Sequence, residues 1–445
     1  MGGSTVDDCD DIALGRDGNL YLACHSDSPD FAGPNDELGT GMDGYVVKID
    51  PRRERIIYRV RLAGSNYDAA LAIAVDSRGH AFAVGITKSS DFPTTADSMQ
   101  AEYGGGEGDA FLVEIGSDGT IMYSSYVGGS AAEHADSLAV GGDGLVYFGG
   151  ASSSPNLPGV DPKPEPLNNA ESDAFVSAHQ TGNAAGLRTM RLGGSGYDKA
   201  TEIALDHVGR LYVAGFTHSA DFPQEGAQGT ALQGPSDAFV AQVSIADGTV
   251  AFSTLIGGSQ DDSAWGLALD SHRNVYVSGQ TDSPDFPTTV DAFQSDYGGR
   301  ADAFLVRLSN EDAMPRYTTY LGGSGEDSAG YDGSALAVDR EGNIWLVGFT
   351  TSPDFPLKNE AQGRSNGDET DGFVTVFEPG GRMLRWSSYL GGEGRDLIEG
   401  LALSPDGGAW ITGLTASEAL GSSPFLQAVH GGGRFDAWLA RIRHE

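Results

Sequence analysis

Carboxylates dominate the residues of this chain that could do chemistry, and they recur at regular spacing. One column holds Asp7, Asp68, Glu133, Asp198, Asp262, Asp327 and Asp396. A second holds Asp30, Asp91, Asp221, Asp285 and Asp354, with Asn156 in the third copy and Ala419 in the last. A third holds Asp43, Asp109, Asp173, Asp237, Asp302, Asp371 and Asp436. Hydroxyls recur between them, one set running from Ser26 to Thr415 and another from Ser28 to Ser417. Oxygen-rich loops of this kind suit Ca2+, which takes six to eight oxygen ligands, and the first column supplies the candidate metal ligands. The competing reading is mechanical: Asp, Ser and Thr side chains accept backbone N–H groups and brace loops. A residue type kept in every copy favours bracing, because a catalytic site needs one copy whereas a repeating fold needs every copy to close alike. The spacing is not that of an EF-hand loop.

Residues that break the repeat are better candidates for function. Asp10, Asp11, Asp136, Glu202, Trp265 and Glu399 stand near the start of one apolar strand in their units. Tyr331 and Asp332 belong to an insertion of four residues, 331–334, expected just before the corresponding strand of the sixth unit. Together these eight form a candidate ligand pocket, with Trp265 as a stacking platform and the carboxylates as polar anchors. The bland alternative is a core tryptophan with solvated acids. The third unit carries a Pro-rich insertion at 159–172. The nine histidines form no spacing motif, and no HExxH, GxSxG or P-loop string occurs. Ser/His/Asp chemistry stays open, since a triad is assembled in space rather than in sequence.

These residues are positioned by a repeat. A Gly-Gly-Ser-like turn has its second residue at Gly3, Gly64, Gly129, Gly194, Gly258, Gly323 and Gly392, at intervals of 61 to 69 residues. Seven units fill the chain as one domain, 1–445, with repeats starting near residues 2, 63, 128, 193, 257, 322 and 391. The unit at 257–321 carries four strand signals, at 265–270, 274–281, 302–308 and 316–321, with turn residues in each gap. Four short strands per unit and no helical period predict an all-β, single seven-bladed β-propeller of about 65 residues per blade. A solenoid is the alternative, but no unit looks like a cap, which favours a closed ring. The seventh unit stops directly after its third strand, so the last blade is expected to have three strands, with 436–443 as an exposed edge. An unpaired edge invites another strand. The corresponding expectation is that the chain is part of a longer protein whose upstream residues supply the missing strand.

The strings YLGGSGEDSA, IALDHVGRLYVAGFTHSADFP and DAFQSDYGGRADAFLVRL resemble the SBBP-type bacterial β-propeller repeat family. The resemblance implies a propeller of bacterial surface or secreted proteins and no particular reaction. It points to an extracellular or cell-surface location. The opening MGGSTVDD has neither a basic n-region nor an apolar h-region, so a cytoplasmic location stays open.

Charge excludes several partners. With 27 Lys+Arg against 63 Asp+Glu the net charge is −36, which opposes phosphate backbones and anionic lipid surfaces. No run of 18 apolar residues is present, so no membrane insertion is expected. Strand order predicts two unlike faces. The acidic columns fall in loops that join outer to inner and second to third strands. Arginines such as Arg16, Arg78, Arg210, Arg273 and Arg340 fall in the opposite loops.

The two cysteines, Cys9 and Cys24, lie in the first unit. A two-residue loop at Arg16 and Asp17 would set them opposite each other. A three-residue loop with Gly18 in the left-handed region puts them on opposite faces; that is the expected register, leaving free buried thiols. The function expected is a non-catalytic binding or display module for a protein or glycan, with an acidic loop face that could take Ca2+. The alternatives are a lyase or hydrolase at the channel mouth, and a purely structural spacer. A pocket where His, Glu and Asp converge favours the enzyme; a flat or merely acidic mouth favours the module.

Overall fold

The computed structural model describes residues 2–31, 41–160, 171–181, 186–226, 231–310, 313–331, 333–365, 370–418 and 431–443. Asp332, Ala419 and most of the Pro-rich insertion lie outside them.

The fifth unit shows why these segments become strands. Its Asp262–Leu269, Val275–Thr281, Asp302–Leu308 and Pro315–Leu321 alternate or run apolar between turn residues, and they pair in that order as an antiparallel meander. The first strand begins before Trp265 because Asp262 already pairs with Thr281. Seven such sheets form among the described residues, with no helix, and the seventh has three strands, Gly400–Leu403, Ala409–Thr415 and Asp436–Ile442. Among the described residues Asp436–Ile442 pairs on one side only. Successive sheets pack face to face. Blade seven meets blade one through Ala402 and Ala437 against Ile12, Leu22 and Val47, so the ring is closed and the solenoid alternative falls away.

Every blade junction carries the same backbone hydrogen bond. The N–H of each first-column residue donates to the carbonyl just before the third-column aspartate of the preceding blade. Asp262 donates to Ser236 at 2.9 Å and Glu133 to Gly108 at 2.8 Å. Asp7 donates to Phe435 at 3.0 Å, so the seam between the last and first blades is built like the others.

The first hairpin corrects the cysteine expectation. Gly18 does adopt a left-handed φ of 77°, and next to the loop Ile12 pairs with Leu22 and Asp11 with Ala23. A bulge then shifts the register, so that Asp8 pairs with His25 and Asp7 with Ser26. Both registers weighed above therefore occur, one on each side of the bulge. Cys9 and Cys24 fall on the far side and form a disulfide with a Cα–Cα distance of 3.9 Å. The same bulge recurs in blades two to five. There a glycine stands in place of Cys24, because a Cβ at Gly85, Gly215 or Gly279 would lie 1.9 Å from a carbonyl oxygen of the inner strand.

The sixth blade corrects the placement of the insertion. It does not precede the inner strand but interrupts it, leaving Asp327–Ser328 and Leu336–Val338 as separate pieces that both pair with Ile344–Thr350. The looped-out residues turn into the axis. A Cβ on Gly333 would lie 2.0 Å from the carbonyl oxygen of Asp10 and 2.6 Å from that of Glu399, on blades one and seven. Ser334 Oγ donates to Glu202 on blade four, so the insertion spans the channel and plugs it.

Candidate functional site

The acidic columns brace loops. Asp262 accepts the Gly258 N–H at 2.7 Å and the Ser283 hydroxyl at 2.9 Å, tying the entry turn of its blade to the loop after the second strand. Asp68, Asp198, Asp327 and Asp396 make the equivalent pair of bonds. Asp7 does so with Gly3 and Ser28, and Glu133 with Gly129 and Ser152. In the second column Asp285 Oδ1 takes both the N–H and the hydroxyl of Ser259. Only one oxygen is used, which is why Asn156 can stand in for Asp at Ser130. The third column lies across each junction from the first. Burial, reinforced by the facing carboxylate, pushes Asp262, Asp109 and Asp302 up to about 7.

The eight unit-specific candidates separate into two tiers around the plug. Asp11 and Glu202 lie in the buried inner tier. Asp11 accepts the N–H groups of Ile73 at 2.9 Å and Ile12 at 2.8 Å. Glu202 takes the Ser137 hydroxyl at 2.6 Å and the Ser334 hydroxyl at 3.0 Å. Burial, only partly offset by these bonds, raises Asp11 to about 7 and Glu202 to about 8. Glu202 thus holds the plug through Ser334, and Asp11 ties its strand to the inner strand of blade two.

Asp10, Asp136, Trp265, Tyr331 and Glu399 belong to the outer tier, at the mouth. Burial would raise Asp136, but His134 and Lys199 beside it outweigh that and hold it at about 2. The Trp265 ring stacks on Tyr331 with centroids 6.2 Å apart and meets Phe216 at 5.8 Å, while Lys199 Nζ sits 5.9 Å from its centroid. Tyr331 is 46% exposed, so this aromatic wall reaches solvent. Asp332 lies outside the described residues.

A recess of about 340 Å³ opens beside that wall, lined by Asp8, Asp10, His25, Tyr67, His134, Tyr331, Arg395 and Glu399 with apolar neighbours. His25 Nδ1 lies 3.0 Å from Asp10 Oδ2. Burial, then the neighbouring Asp10, pushes Asp8 well above the usual carboxylate range, and its carboxyl also contacts that of Glu399. Asp8, His25, His134, Ser137 and Ser334 were not among the expected site residues. The repeat gave only a weak signal for Asp8 and His25, because both positions vary in every blade: His134 and Lys199 stand where Asp8 does in blades three and four, and Ala151 and Phe216 where His25 does. His, Glu and Asp thus converge at the mouth, with an aromatic wall beside them.

Residues 189–223 and 251–287 match the model of the SBBP beta-propeller repeat. The first stretch runs from the outer strand of the third blade into the fourth blade, and the second from the outer strand of the fourth into the fifth. The chain is also similar to the "Regulatory protein FlaEY" of Caulobacter vibrioides, 26% identical over 92% of this chain and 42% of that protein, so it spans less than half of that relative's length. Among solved structures, Kuenenia stuttgartiensis hydrazine synthase covers 92% of both chains at 13% identity with a TM-score of 0.47. The Pan2 WD40 domain of Neurospora crassa covers 92% of this chain and 86% of its own at 8% identity with a TM-score of 0.45.

Proposed function

We propose that the chain is a non-catalytic binding module whose ligand, a protein or a glycan, sits in the recess at the plugged end of the axis. The observation that carries this reading is the pairing of a solvent-reaching aromatic wall, Trp265 and Tyr331, with a carboxylate-lined recess on a rigid ring. An aromatic face stacks on a sugar ring or an apolar side chain, and carboxylates accept hydroxyl or ammonium donors. The FlaEY resemblance, to a protein named as regulatory, suits a part that acts by binding. The Cys9–Cys24 disulfide supports placing the module in an oxidising compartment such as a cell surface. Ca2+ on the first-column carboxylates is left out of this reading, because those oxygens already accept Gly N–H and Ser hydroxyl bonds.

A second reading is favoured by one feature. His25, Asp8, Asp10 and Glu399 converge in the recess, as acid–base chemistry of a lyase or hydrolase would require. A glycan array and a protein-binding screen, repeated with Trp265→Ala and Tyr331→Ala, separate the two. Specific binding that both variants weaken, with the ligand recovered intact, supports the module. Turnover of the captured ligand that is lost in Glu399→Gln supports the enzyme. Binding unaffected by either aromatic variant sinks the recess as the recognition site.

A further inference from the structure

Blade one breaks the repeat at Cys9 and Cys24, and around them three positions that vary from blade to blade, Asp8 and Asp10 on the inner strand and His25 on the second, all carry metal-ligating side chains that meet in space. Blade two carries Ala69, Ala70, Leu71, Gly85 and Ile86 there, and blade five Ser263, Ala264, Trp265, Gly279 and Gln280. Blade three carries His134 and Asp136 at the positions of Asp8 and Asp10 but Ala151 at that of His25, so blade one alone fills all three with ligating groups. Strand alternation sends Cys9 to the core and its neighbours Asp8 and Asp10 together to the recess, with His25 beside Cys24 facing the same space. The disulfide lies directly behind them and fixes the two strands at the bulge.

The polar atoms of Asp8, Asp10 and His25 lie within 4.8 Å of one another. Opposite ligands of an ion with bonds of about 2.0–2.2 Å stand roughly 4 Å apart, so this spacing is that of a coordination shell with little rearrangement. A second observation comes from Asp8 itself. It is 8% exposed, and its Oδ1 has no hydrogen-bond donor within reach. What it meets instead is the carboxyl of Glu399, which is 2% exposed. Two buried carboxyls in contact share either a proton or a cation, and a bound ion would satisfy both at once. The nearby bases are engaged elsewhere: His134 and Lys199 pair with Asp136. Arg395 lines the recess, but among the described residues no ion pair joins it to these acids.

We propose that Asp8, Asp10 and His25 bind a divalent transition-metal ion, with Glu399 completing the donor set. The imidazole nitrogen decides the class of ion. Ca2+ takes oxygen donors alone, whereas Zn2+ and Mn2+ accept mixed nitrogen and carboxylate sets. The site is distinct from the loop-bracing carboxylates and does not depend on the ligand reading above, since an ion can bind where no glycan or protein does.

Isothermal titration of the whole chain with ZnCl2, MnCl2 and CaCl2 in turn tests it, followed by thermal melts. One Zn2+ or Mn2+ per chain is expected, with Asp10→Asn and His25→Ala each weakening it at least tenfold. Glu399→Gln should weaken it less, and His272→Ala, in an exposed turn away from the recess, should leave it unchanged. The ion should raise the melting temperature of the parent chain but not of the His25→Ala variant, by mass action on the folded state. Far-UV circular dichroism and an intact disulfide establish that the variants fold; should His25→Ala fail, Asp10→Asn alone carries the comparison. No stoichiometric ion at millimolar concentration, equal binding in Asp10→Asn, or Ca2+ preferred over Zn2+ would overturn the proposal.

Discussion

Ser334 Oγ donates to Glu202 Oε2 at 3.0 Å, joining the sixth blade to the fourth through the middle of the ring. The acceptor also takes the Ser137 hydroxyl from blade three, so one buried carboxyl gathers three blades around the axis.

That carboxyl predicts how stability varies with pH. Glu202 at about 8, Asp11, Asp262 and Asp302 at about 7 and Asp198 at about 6 all lie above their unfolded values near 4. Between those limits the folded state holds more protons than the unfolded one, so stability falls as pH rises. The contribution is full below about pH 4 and is lost as pH passes through 6 to 8. Melting temperature should therefore drop steadily from pH 5 to pH 9. Glu202→Gln, which stays neutral, should flatten the upper part of that curve. A melt that rises across this range would contradict the buried protonated acids.

Gly333 is the sterically demanding residue of the plug. Its missing Cβ would press on two backbone carbonyls, those of Asp10 and Glu399, which cannot rotate away as a side chain can. Gly333→Ala should cost about 1–3 kcal/mol, the range for overpacked sites. Urea denaturation measures it. A cost below about 0.5 kcal/mol, the level of an ordinary surface change, would mean that the insertion is not wedged in the axis.

The disulfide closes a segment with a sequence separation of 15. Chain-entropy reasoning assigns such a loop about 3 kcal/mol. Cys9→Ala/Cys24→Ala should lose about that amount. Cys9→Ala/Cys24→Gly should lose less, because it restores the glycine that relieves the carbonyl contact in the other blades. Equal stability of parent and Cys9→Ala/Cys24→Ala under oxidising conditions would show that the bulge stands without the bond.

The loop-bracing columns make a prediction about Ca2+. Their carboxylates already accept Gly N–H and Ser hydroxyl bonds, so an incoming ion would have to displace both. Millimolar CaCl2 should leave the melting temperature unchanged, while Asp262→Ala should lower stability by about 1–3 kcal/mol through the buried donors it strands. A Ca2+-dependent rise in melting temperature that Asp262→Asn abolishes would assign the ion to this column after all.

The fold was legible because repetition averages out local ambiguity. Seven copies of the Gly-Gly turn and of the DAF-type strand fixed the blade count. What stayed hidden were single-residue displacements. The bulge between Asp8 and Asp11 changes which side chains face one another, and it alone brings Cys9 against Cys24. The insertion in the sixth unit could be counted but not aimed, because its path is set by backbone contacts with Asp10 and Glu399 on two other blades. For the same reason Asp11 and Glu202 could not be told apart from Asp10 and Glu399, although one pair is sealed in the axis and the other borders the recess.

The plugged axis also sets how a ligand can come and go. In an open ring a small solute could enter from either end and leave from the other. Here the sixth blade closes the passage, so the molecule is a dish rather than a pipe. Whatever binds beside Tyr331 must arrive from one half of the surrounding solution and depart the same way. Anything tethered over that side, whether another domain or a neighbouring surface, would govern arrival and departure together.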